Sequence, residues 1–291
     1  MVASCEILHR GKRASDNLAE PAPRTTDQAL EQALAEDSLS LAFQPQFDVR
    51  AGAVIGAEAL ARWPGVASPE ELFARAGSAS LSERLSRTMQ RKALQAAGKW
   101  SGALRHLKLS INVLAEDLVR PGYETWLLAE ITAAGLDPQR ITAEIIESSL
   151  VADPVAAAGR LASLRAAGVR IAVDDFGTGY ASLAYLTTLP LDLIKIDRGL
   201  ISDVVGRSRD RIVVRALIAL ARELGLQVLV EGVEDPAQLA LLREWGCDYY
   251  QGFLGAQALD ERALARFVSA ARSDPPTSPA TDRASGRGEA A

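Results

Sequence analysis

The sequence predicts an α/β fold, specifically a modified (β/α)8 TIM-type barrel with one antiparallel strand near the N-terminus. Eight short segments rich in Val, Ile, Leu and aromatic residues alternate, for the most part, with segments of helical periodicity. Only a short turn, at residues 50–53, separates the first two of these segments. Acidic and amide side chains recur where the segments end, and the strand ends of a (β/α)8 barrel are where its functional groups gather.

The barrel occupies the middle of the chain. We expect residues 1–30 to form a disordered or loosely ordered tail, because they show no clear apolar periodicity. Residues 273–291 contain too few apolar side chains to support an ordered structure, and we predict that they are disordered. The remaining residues, 31–272, are within the usual size range of a single (β/α)8 barrel.

The predicted strands share a high content of β-branched and other apolar residues. They are residues 39–49, 54–63, 107–115, 141–148, 170–176, 191–198, 226–234 and 247–254. Helical segments lie between most of them, which is typical of a largely parallel sheet. The first two strands are joined only by the turn at residues 50–53, so they form a hairpin and one of them runs antiparallel.

Capping residues mark three of the intervening helices. Each begins with Ser or Asp followed by Pro, and each is expected to end at a Gly. The corresponding segments are residues 68–77, 153–168 and 235–246. These boundaries agree with the division into strands, which supports the alternating pattern.

Composition and charge exclude several classes of protein. The chain of 291 residues has a net charge of −5, which argues against binding to polymeric nucleic acid or to an anionic membrane surface. Its cysteines, Cys5 and Cys247, form no CxxC pair, so neither a disulfide framework nor a zinc site is expected. No apolar run approaches the roughly 20 residues of a membrane span. We therefore expect a cytoplasmic protein.

The stretch from Ile171 to Leu186 is the first indication of a functional site. Its apolar beginning predicts a buried strand, which stops at Asp174 and Asp175 and is followed by a glycine-rich segment. Adjacent carboxylates repel each other unless a cation or a shared proton relieves them. This stretch alone is equally consistent with a solvated turn, in which Asp and Gly are common.

Side chains of the same kind occur at the ends of the other predicted strands. They are Glu58, Asn112, Glu144 with Glu147, Asp174 with Asp175, Lys195 with Asp197, Glu231 with Glu234, and Gln251. Carboxylates that converge on one rim of a barrel require a counter-ion. All the candidate ligands are hard oxygen donors, and the histidines, His9 and His106, lie elsewhere, so Mg²⁺ or Mn²⁺ fits better than Zn²⁺.

Two chemistries remain open on this basis. The paired aspartates could hold two ions about 3.5 to 4 Å apart, an arrangement that activates water for in-line attack on a phosphodiester. Lys195 would then contact that water or the phosphate. Alternatively, the barrel could be a lyase or isomerase in which Mg²⁺ stabilises an enolate and Lys195 is the base. Adjacent aspartates favour two metals and phosphate over the second hypothesis.

The motifs, in this order, resemble those of the EAL-domain cyclic-di-GMP phosphodiesterases over roughly residues 35–268. The matching segments are Glu58-Ala59-Leu60, Ile111-Asn112, Glu144 with Glu147, Asp174-Asp175-Phe176-Gly177-Thr178-Gly179, Lys195-Ile196-Asp197, Glu231-Gly232-Val233-Glu234 and Gln251-Gly252. The resemblance implies a barrel with an antiparallel strand and two Mg²⁺ or Mn²⁺ ions. It also implies hydrolysis of cyclic-di-GMP, a bacterial second messenger, to linear pGpG.

The resemblance further implies a role for each matching residue. One ion would be held by Glu58, Asn112, Glu144 and Asp174, and the second by Asp174 and Asp175. Glu231 would bind metal or act as the base, Lys195 would hold the nucleophilic water, and Asp197 and Gln251 would support the ligands. Glu147 would fix the loop from Asp175 to about Leu186, which links the site to a dimer interface, and Gln44 and Arg62 would contact the substrate.

Some segments depart from the family pattern and keep a second hypothesis open. Residues 73–85 lack the usual proline and Ala-Glu run, and residues 255–258 lack the common small-basic-proline ending. Leu114 and Ile146, next to implied ligands, also differ from the common residues. The alternative is a non-hydrolytic cyclic-di-GMP receptor or protein-interaction module on the same fold. In either case we expect a homodimer, and a separate regulatory protein could provide the input signal.

Overall fold

The computed structural model describes residues 26–146, 154–177, 183–206 and 209–273. Its strands form a closed eight-stranded barrel in which each strand pairs with its neighbours in sequence order. The strands are β1 (Ser40–Asp48), β2 (Val54–Arg62), β3 (Lys108–Val113), β4 (Ile141–Ile146), β5 (Arg170–Phe176), β6 (Leu193–Ile196), β7 (Gln227–Val230) and β8 (Tyr249–Tyr250). All eight predicted strands are therefore present, and the predicted fold class is confirmed.

Helices surround the barrel. They are α1 (Gln28–Ala35), α2 (Pro69–Ser78), α3 (Ser82–Gly98), α4 (Ala115–Val119), α5 (Tyr123–Ala133), α6 (Pro154–Ala166), α7 (Leu183–Thr188), α8 (Arg198–Ile201), α9 (Arg209–Glu223), α10 (Pro236–Trp245) and α11 (Glu261–Ser273). Within the four described ranges, no helix is both long and apolar enough to cross a membrane.

β1 is the predicted antiparallel strand. It runs antiparallel to β2, where Gln44 lies opposite Glu58, and also antiparallel to β8, where Phe47 lies opposite Tyr250. All the other neighbouring pairs, from β2 to β8, are parallel. Because β1 is reversed, its first residue, Ser40, pairs with Arg62 at the carboxyl end of β2. The start of β1 therefore lies at the rim where the parallel strands end.

The capping signals give the helix starts correctly and one helix end incorrectly. The Ser68 side chain accepts a hydrogen bond from the Glu71 amide at the start of α2, but this helix continues through Gly77 to Ser78. Asp235 caps α10, which ends at Gly246 with a φ of 75° as predicted. Asp153, predicted to begin α6, lies outside the described residues. A glycine followed by a residue that also tolerates helical geometry does not by itself end a helix.

The ordered domain begins before the predicted boundary at residue 31. Asp27 caps α1 by accepting a hydrogen bond from the Leu30 amide, and Leu30 is fully buried. Leu30 packs in a cluster with Leu72 of α2 and Leu85 of α3, so tertiary burial stabilises a helix too short to form alone. The predicted tails are residues 1–30 and 273–291. Ser273 is instead the last residue of α11, and residues 1–25 and 274–291 lie outside the described part of the chain, so their disorder remains a prediction.

The main core lies between the outer face of the barrel and the helices. A smaller apolar layer lies in the barrel itself and consists of Ala172, Leu193 and Leu229, from β5, β6 and β7. Each of these residues is fully or almost fully buried. Side chains of a strand alternate between its two faces, so the residues two positions further along share the face of this layer. Those residues are Asp174, Lys195 and Glu231.

Candidate metal centre

The polar cluster begins directly above this apolar layer, at the rim of the barrel. Asp174 is on β5, Lys195 is on β6, and Glu231 follows the last residue of β7. Their partners from the neighbouring strands are Glu58 on β2 and Glu144 on β4. Glu58, Glu144 and Lys195 are buried, and the cleft above them is lined by Glu58, Asp174 and Glu231.

Lys195 lies at the centre of the cluster and is fully buried. Its Nζ atom is close to one carboxylate oxygen of each of four acids. The distances are 2.8 Å to Glu144 Oε2, 2.8 Å to Glu231 Oε1, 2.9 Å to Asp174 Oδ2 and 3.4 Å to Glu58 Oε2. An ammonium has three N–H donors, so Lys195 shares them among four acceptors and neutralises only one of the negative charges.

The pKa values in the cluster reflect this excess of negative charge. Burial raises the pKa of Glu144 and that of Glu231 to about 8 each, although Lys195 opposes the change. Burial also raises the pKa of Asp174. The pKa of Lys195 lies well above its usual value, because the four surrounding carboxylates outweigh the lowering effect of burial. These shifts indicate a site that is short of positive charge.

Two amides fix the orientation of the Glu58 carboxylate. Gln251 Nε2 donates to Glu58 Oε2 at 2.7 Å, and Asn112 Nδ2 donates to Glu58 Oε1 at 3.1 Å. Burial acts to raise the pKa of Glu58, but Lys195 and these two donors more than offset it and hold that pKa below its usual value. Among the described residues, Gln251 Oε1 has no hydrogen-bond partner although it is buried. An amide oxygen in this position can accept from a ligand-bound water or contact a cation.

The carboxylates form two groups with the spacing of metal ligands. The first is Glu58, Glu144 and Asp174, and the second is Asp174, Asp175 and Glu231; in each group the ligand atoms lie within 4.8 Å of one another. Asp174 belongs to both groups. Every donor is a hard oxygen, which suits Mg²⁺ or Mn²⁺. The residues present therefore fit divalent metal ions, which the two groups would hold, and Asp174 could contribute to both groups.

A backbone irregularity explains how two successive aspartates reach one site. Side chains of adjacent strand residues normally point to opposite faces. The pairing of β5 with β6 shifts between Val173 and Phe176, and Asp175 has a φ of 56°. A left-handed conformation is uncommon for a residue other than glycine and turns the Asp175 side chain toward the second group. Burial and, to a smaller extent, repulsion from Asp174 raise the pKa of Asp175 to about 6.

A cleft of about 1010 Å³ lies over the carboxylates. Its walls include the predicted substrate residues Gln44 and Arg62, together with Asp197 and the exposed ring of Phe253. Gln44 is close to the centre because it lies opposite Glu58 in the β1–β2 hairpin. Arg62 donates from Nη1 to the Ala61 carbonyl at 2.9 Å.

The structure brings most of the predicted site residues together. The residues in the cluster are Glu58, Asn112, Glu144, Asp174, Asp175, Lys195, Glu231 and Gln251. Asp197 lines the cleft but also caps α8, accepting from the Gly199 amide at 2.8 Å. Glu147 lies outside the described residues, so its role in fixing a loop remains a prediction.

Two glutamines that contact the candidate metal-binding residues were not predicted from the sequence. Gln46 Nε2 lies 3.5 Å from Glu144 Oε1, and Gln90 Nε2 donates to the Asn112 carbonyl at 2.8 Å. Gln46 is two residues after Gln44 in β1, so strand alternation could have placed it on the same face. Gln90 lies on the buried face of α3 beside Met89 and Ala93, where a polar residue is itself a signal.

Comparison with known proteins agrees with the motifs. The EAL domain family matches residues 27–258 of the chain. The Pseudomonas aeruginosa protein named cyclic di-GMP phosphodiesterase NbdA is 36% identical over 258 residues, which cover 85% of this chain and 32% of NbdA. An uncharacterized Mycobacterium tuberculosis protein is 36% identical over 261 residues, which cover 88% of this chain and 42% of that protein. The chain thus spans less than half of these curated relatives.

Solved structures of the same family share the fold. The structure of PaMucR phosphodiesterase in a c-di-GMP complex has 33% identity and a TM-score of 0.76, covering 81% of this chain and 98% of PaMucR. Klebsiella pneumoniae BlrP1, solved as a complex with manganese and cyclic-di-GMP, has 31% identity and a TM-score of 0.70. That match covers 76% of this chain and 56% of BlrP1. The extent of the family match and the shared barrel establish that the chain belongs to the EAL domain family.

Proposed function

We propose that this chain is a metal-dependent phosphodiesterase that hydrolyses cyclic-di-GMP to linear pGpG. The observation that carries the proposal is the pair of carboxylate groups that share Asp174 at the base of an open cleft. The names of its relatives support the substrate, since NbdA is named a cyclic di-GMP phosphodiesterase and PaMucR was solved with c-di-GMP. Hydrolysis of cyclic-di-GMP would lower the level of a bacterial second messenger.

The donor set assigns ligands to two ions. Glu58, Asn112, Glu144 and Asp174 would hold one, and Asp174, Asp175 and Glu231 would hold the other. When bound, such a pair of Mg²⁺ or Mn²⁺ ions polarises a water and neutralises the charge of a phosphodiester during in-line displacement. We propose Mg²⁺ or Mn²⁺ as the metal.

Lys195 and Glu231 can perform the remaining chemistry. Lys195 is a fixed cation beside the carboxylates, and it would hold the nucleophilic water or the negative charge that develops on the phosphate. Glu231 contacts Lys195 through Oε1, which leaves Oε2 to accept the proton of that water. The raised pKa of Glu231 makes its ionised carboxylate a stronger base than an exposed glutamate, and the positive charge of bound metal would keep it ionised near neutral pH.

The cleft provides contacts for the rest of the substrate. Its volume of about 1010 Å³ is at the upper end of the range for small-molecule sites, which suits a cyclic dinucleotide. Arg62 lines the cleft and stays charged at all accessible pH values, so its fork can bind a phosphate with two hydrogen bonds. Gln44 lies opposite Glu58 in the hairpin and lines the same cleft as Arg62, so it would contact the same group beside the carboxylates.

The direct test is to follow pGpG by chromatography after incubation with cyclic-di-GMP and Mg²⁺ or Mn²⁺, and separately with EDTA. We expect pGpG only with metal. The variant Asp174→Asn should form none, because it removes the ligand common to both groups. Asp37→Asn is the matched control, since Asp37 is exposed, has a φ of 57° that Asn tolerates, and pairs with Lys92 rather than with a group of the cluster. Equal pGpG formation with EDTA would contradict the proposal.

A non-hydrolytic cyclic-di-GMP receptor is the second candidate. Phe73 and Gln257, from the two segments that depart from the family pattern, both line the cleft. Differences in these two segments can change the position of cyclic-di-GMP in the cleft while all the metal-binding residues remain. Binding of cyclic-di-GMP by calorimetry, without any pGpG in the presence of metal, would favour the receptor. Family membership argues against the lyase or isomerase hypothesis.

Assembly and regulation stay predictions from the resemblance. A homodimer would be detected by sedimentation analysis of the purified chain at several concentrations. A separate regulatory protein would be detected as a change in pGpG formation when that protein is added to the purified chain.

A further inference from the structure

Asn112 is held from two directions. Its side-chain Nδ2 donates to Glu58 Oε1, and its main-chain carbonyl accepts from Gln90 Nε2 of α3 at 2.8 Å. The β2–β3 pairing ends at Ser110, whereas the β3–β4 pairing continues to Val113. Around Asn112 the strand is therefore paired on its β4 side alone, and the helix provides the second support through Gln90.

The neighbours of Gln90 fix the orientation of its amide. Tyr123 Oη donates to Gln90 Oε1 at 3.1 Å, and Gln90 Nε2 donates to Ser86 Oγ at 3.0 Å. Reversing the amide would place Oε1 against the Asn112 carbonyl and near the Asp117 carboxylate, and both of these groups can only accept. The network therefore keeps the amide donor of Gln90 directed at Asn112.

The network is anchored by Asp117, whose carboxylate is fully buried at the start of the segment after β3. Asp117 accepts from Ser86 Oγ at 2.6 Å, from the Leu114 amide at 3.3 Å and from Arg120 Nη1 at 3.1 Å. These contacts join α3, the end of β3 and α4, and the Tyr123–Gln90 hydrogen bond adds α5. A buried polar network whose members are all hydrogen-bonded is rigid and specifies one arrangement.

A packing role does not explain the choice of glutamine. Gln90 is 2% exposed, and its neighbours on the buried face of α3 include Met89 and Ala93. Burying an amide requires desolvation that a leucine or methionine of similar size would avoid. The amide of Gln90 therefore has a role that an apolar side chain could not perform.

We propose that Gln90 is a positioning residue for the metal ligand Asn112. Its hydrogen bond to the Asn112 carbonyl fixes the main chain at the end of β3. The Asn112 side chain can then contact both Glu58 and an ion held by Glu58, Glu144 and Asp174. Ligands must be held closely in place by their supporting hydrogen bonds, and loss of such a partner typically weakens metal binding by about 10- to 100-fold. This inference rests on the metal centre of the proposed function.

The test compares Mn²⁺ affinity in Gln90→Leu and Tyr123→Phe with the unsubstituted chain, by titration calorimetry on the purified protein. Gln90→Leu removes the donor to Asn112, and we expect Mn²⁺ to bind about 10-fold more weakly or worse. Tyr123→Phe removes a partner of the same network but keeps that donor, so its affinity should change by less than about threefold. With cyclic-di-GMP, kcat should fall in Gln90→Leu by more than KM rises.

Melting curves in EDTA separate positioning from packing. If both variants melt lower but bind Mn²⁺ within about twofold of the unsubstituted chain, Gln90 only packs and the inference is wrong. If Gln90→Leu does not fold, Gln90→Met, which is unbranched and flexible, is measured with the same expected loss and the same criterion. Absence of Mn²⁺ binding by the unsubstituted chain would overturn the metal centre and this inference with it. Mn²⁺ binding without pGpG would overturn only the proposed hydrolysis.

Discussion

Replacing Lys195 by methionine tests whether its ammonium is the counter-ion of the four surrounding carboxylates. Methionine has nearly the same length and fills the same space without charge. In EDTA the variant leaves Glu58, Glu144, Asp174 and Glu231 facing one another without a cation. The donors that remain are neutral: the side-chain amides of Asn112, Gln251 and Gln46 and the main-chain amide of Asp175. The substitution therefore isolates the charge of Lys195 from its volume.

The expected loss follows from the burial of the cluster. Removing one partner of a buried ion pair costs about 3–5 kcal/mol, because the remaining charge stays desolvated. Protonation of Glu144 and Glu231 limits the loss near neutral pH, because the pKa of each is raised to about 8. Lys195 lowers both pKa values, so its removal raises them further and the full effect requires a more alkaline pH. A change of this size corresponds to a decrease in melting temperature of roughly 10 °C for a domain of this length.

The measurement is thermal unfolding followed by circular dichroism in EDTA, repeated with Mg²⁺. Lys108→Met is the matched control, since Lys108 is half-buried at the opposite end of β3 and its nearest charge is Arg170 rather than a carboxylate. We expect a change within about 1 kcal/mol for this control. Mg²⁺ should recover part of the loss in Lys195→Met. Melting of Lys195→Met within about 2 °C of the unsubstituted chain would refute the counter-ion role.

Three further predictions concern the carboxylates. Glu58→Ala and Asp174→Ala should abolish hydrolysis with a native circular dichroism spectrum, since each removes a ligand rather than core packing; full turnover in a folded variant would make the ligand assignment wrong. In EDTA the pKa of Glu144 and that of Glu231 are each raised from 4.5 to about 8 in the native state. Between these two values the native state therefore binds more protons than the unfolded state. The free energy of unfolding should therefore fall as the pH rises through this window, and a calorimetric melting temperature that rises from about pH 6 to about pH 9 would contradict those shifts. Asp175→Gly should raise the melting temperature in EDTA by a few degrees, because it removes about 1 kcal/mol or more of left-handed strain and a repelling charge, while lowering pGpG formation; unchanged formation would exclude Asp175 as a ligand.

The main features of the fold could be predicted because they depend on local sequence patterns. The turn at residues 50–53 is too short for a crossover, so it required a hairpin, and β1 is indeed the antiparallel strand. The strand-end residues could be predicted because parallel strands of a barrel end at one rim. The sequence could not show that Lys195 contacts four acids at once, since this depends on the tilt and register of five strands.

Other features depend on tertiary contacts that no short pattern encodes. Asp175 reaches the site only because β5 bulges against β6, and strand alternation alone would have pointed its side chain away from that of Asp174. Gln90 was missed because its partner is a main-chain carbonyl on another element. α1 was placed partly in the tail because it is short and is stabilised by packing on α2 and α3.

The reversal of β1 also determines from which side the chain enters the barrel. In an all-parallel barrel the first strand starts at the face opposite the ligands. Here Ser40 starts β1 beside Arg62, which lines the cleft. α1 precedes this strand and packs through Leu30 on α2 and α3, which themselves contribute Phe73 and Met89 to the cleft wall. Asp27, at the start of α1, also forms an ion pair with Arg75 of α2. A force applied at Asp27 would therefore act directly on the helix that contributes Phe73 to the cleft wall.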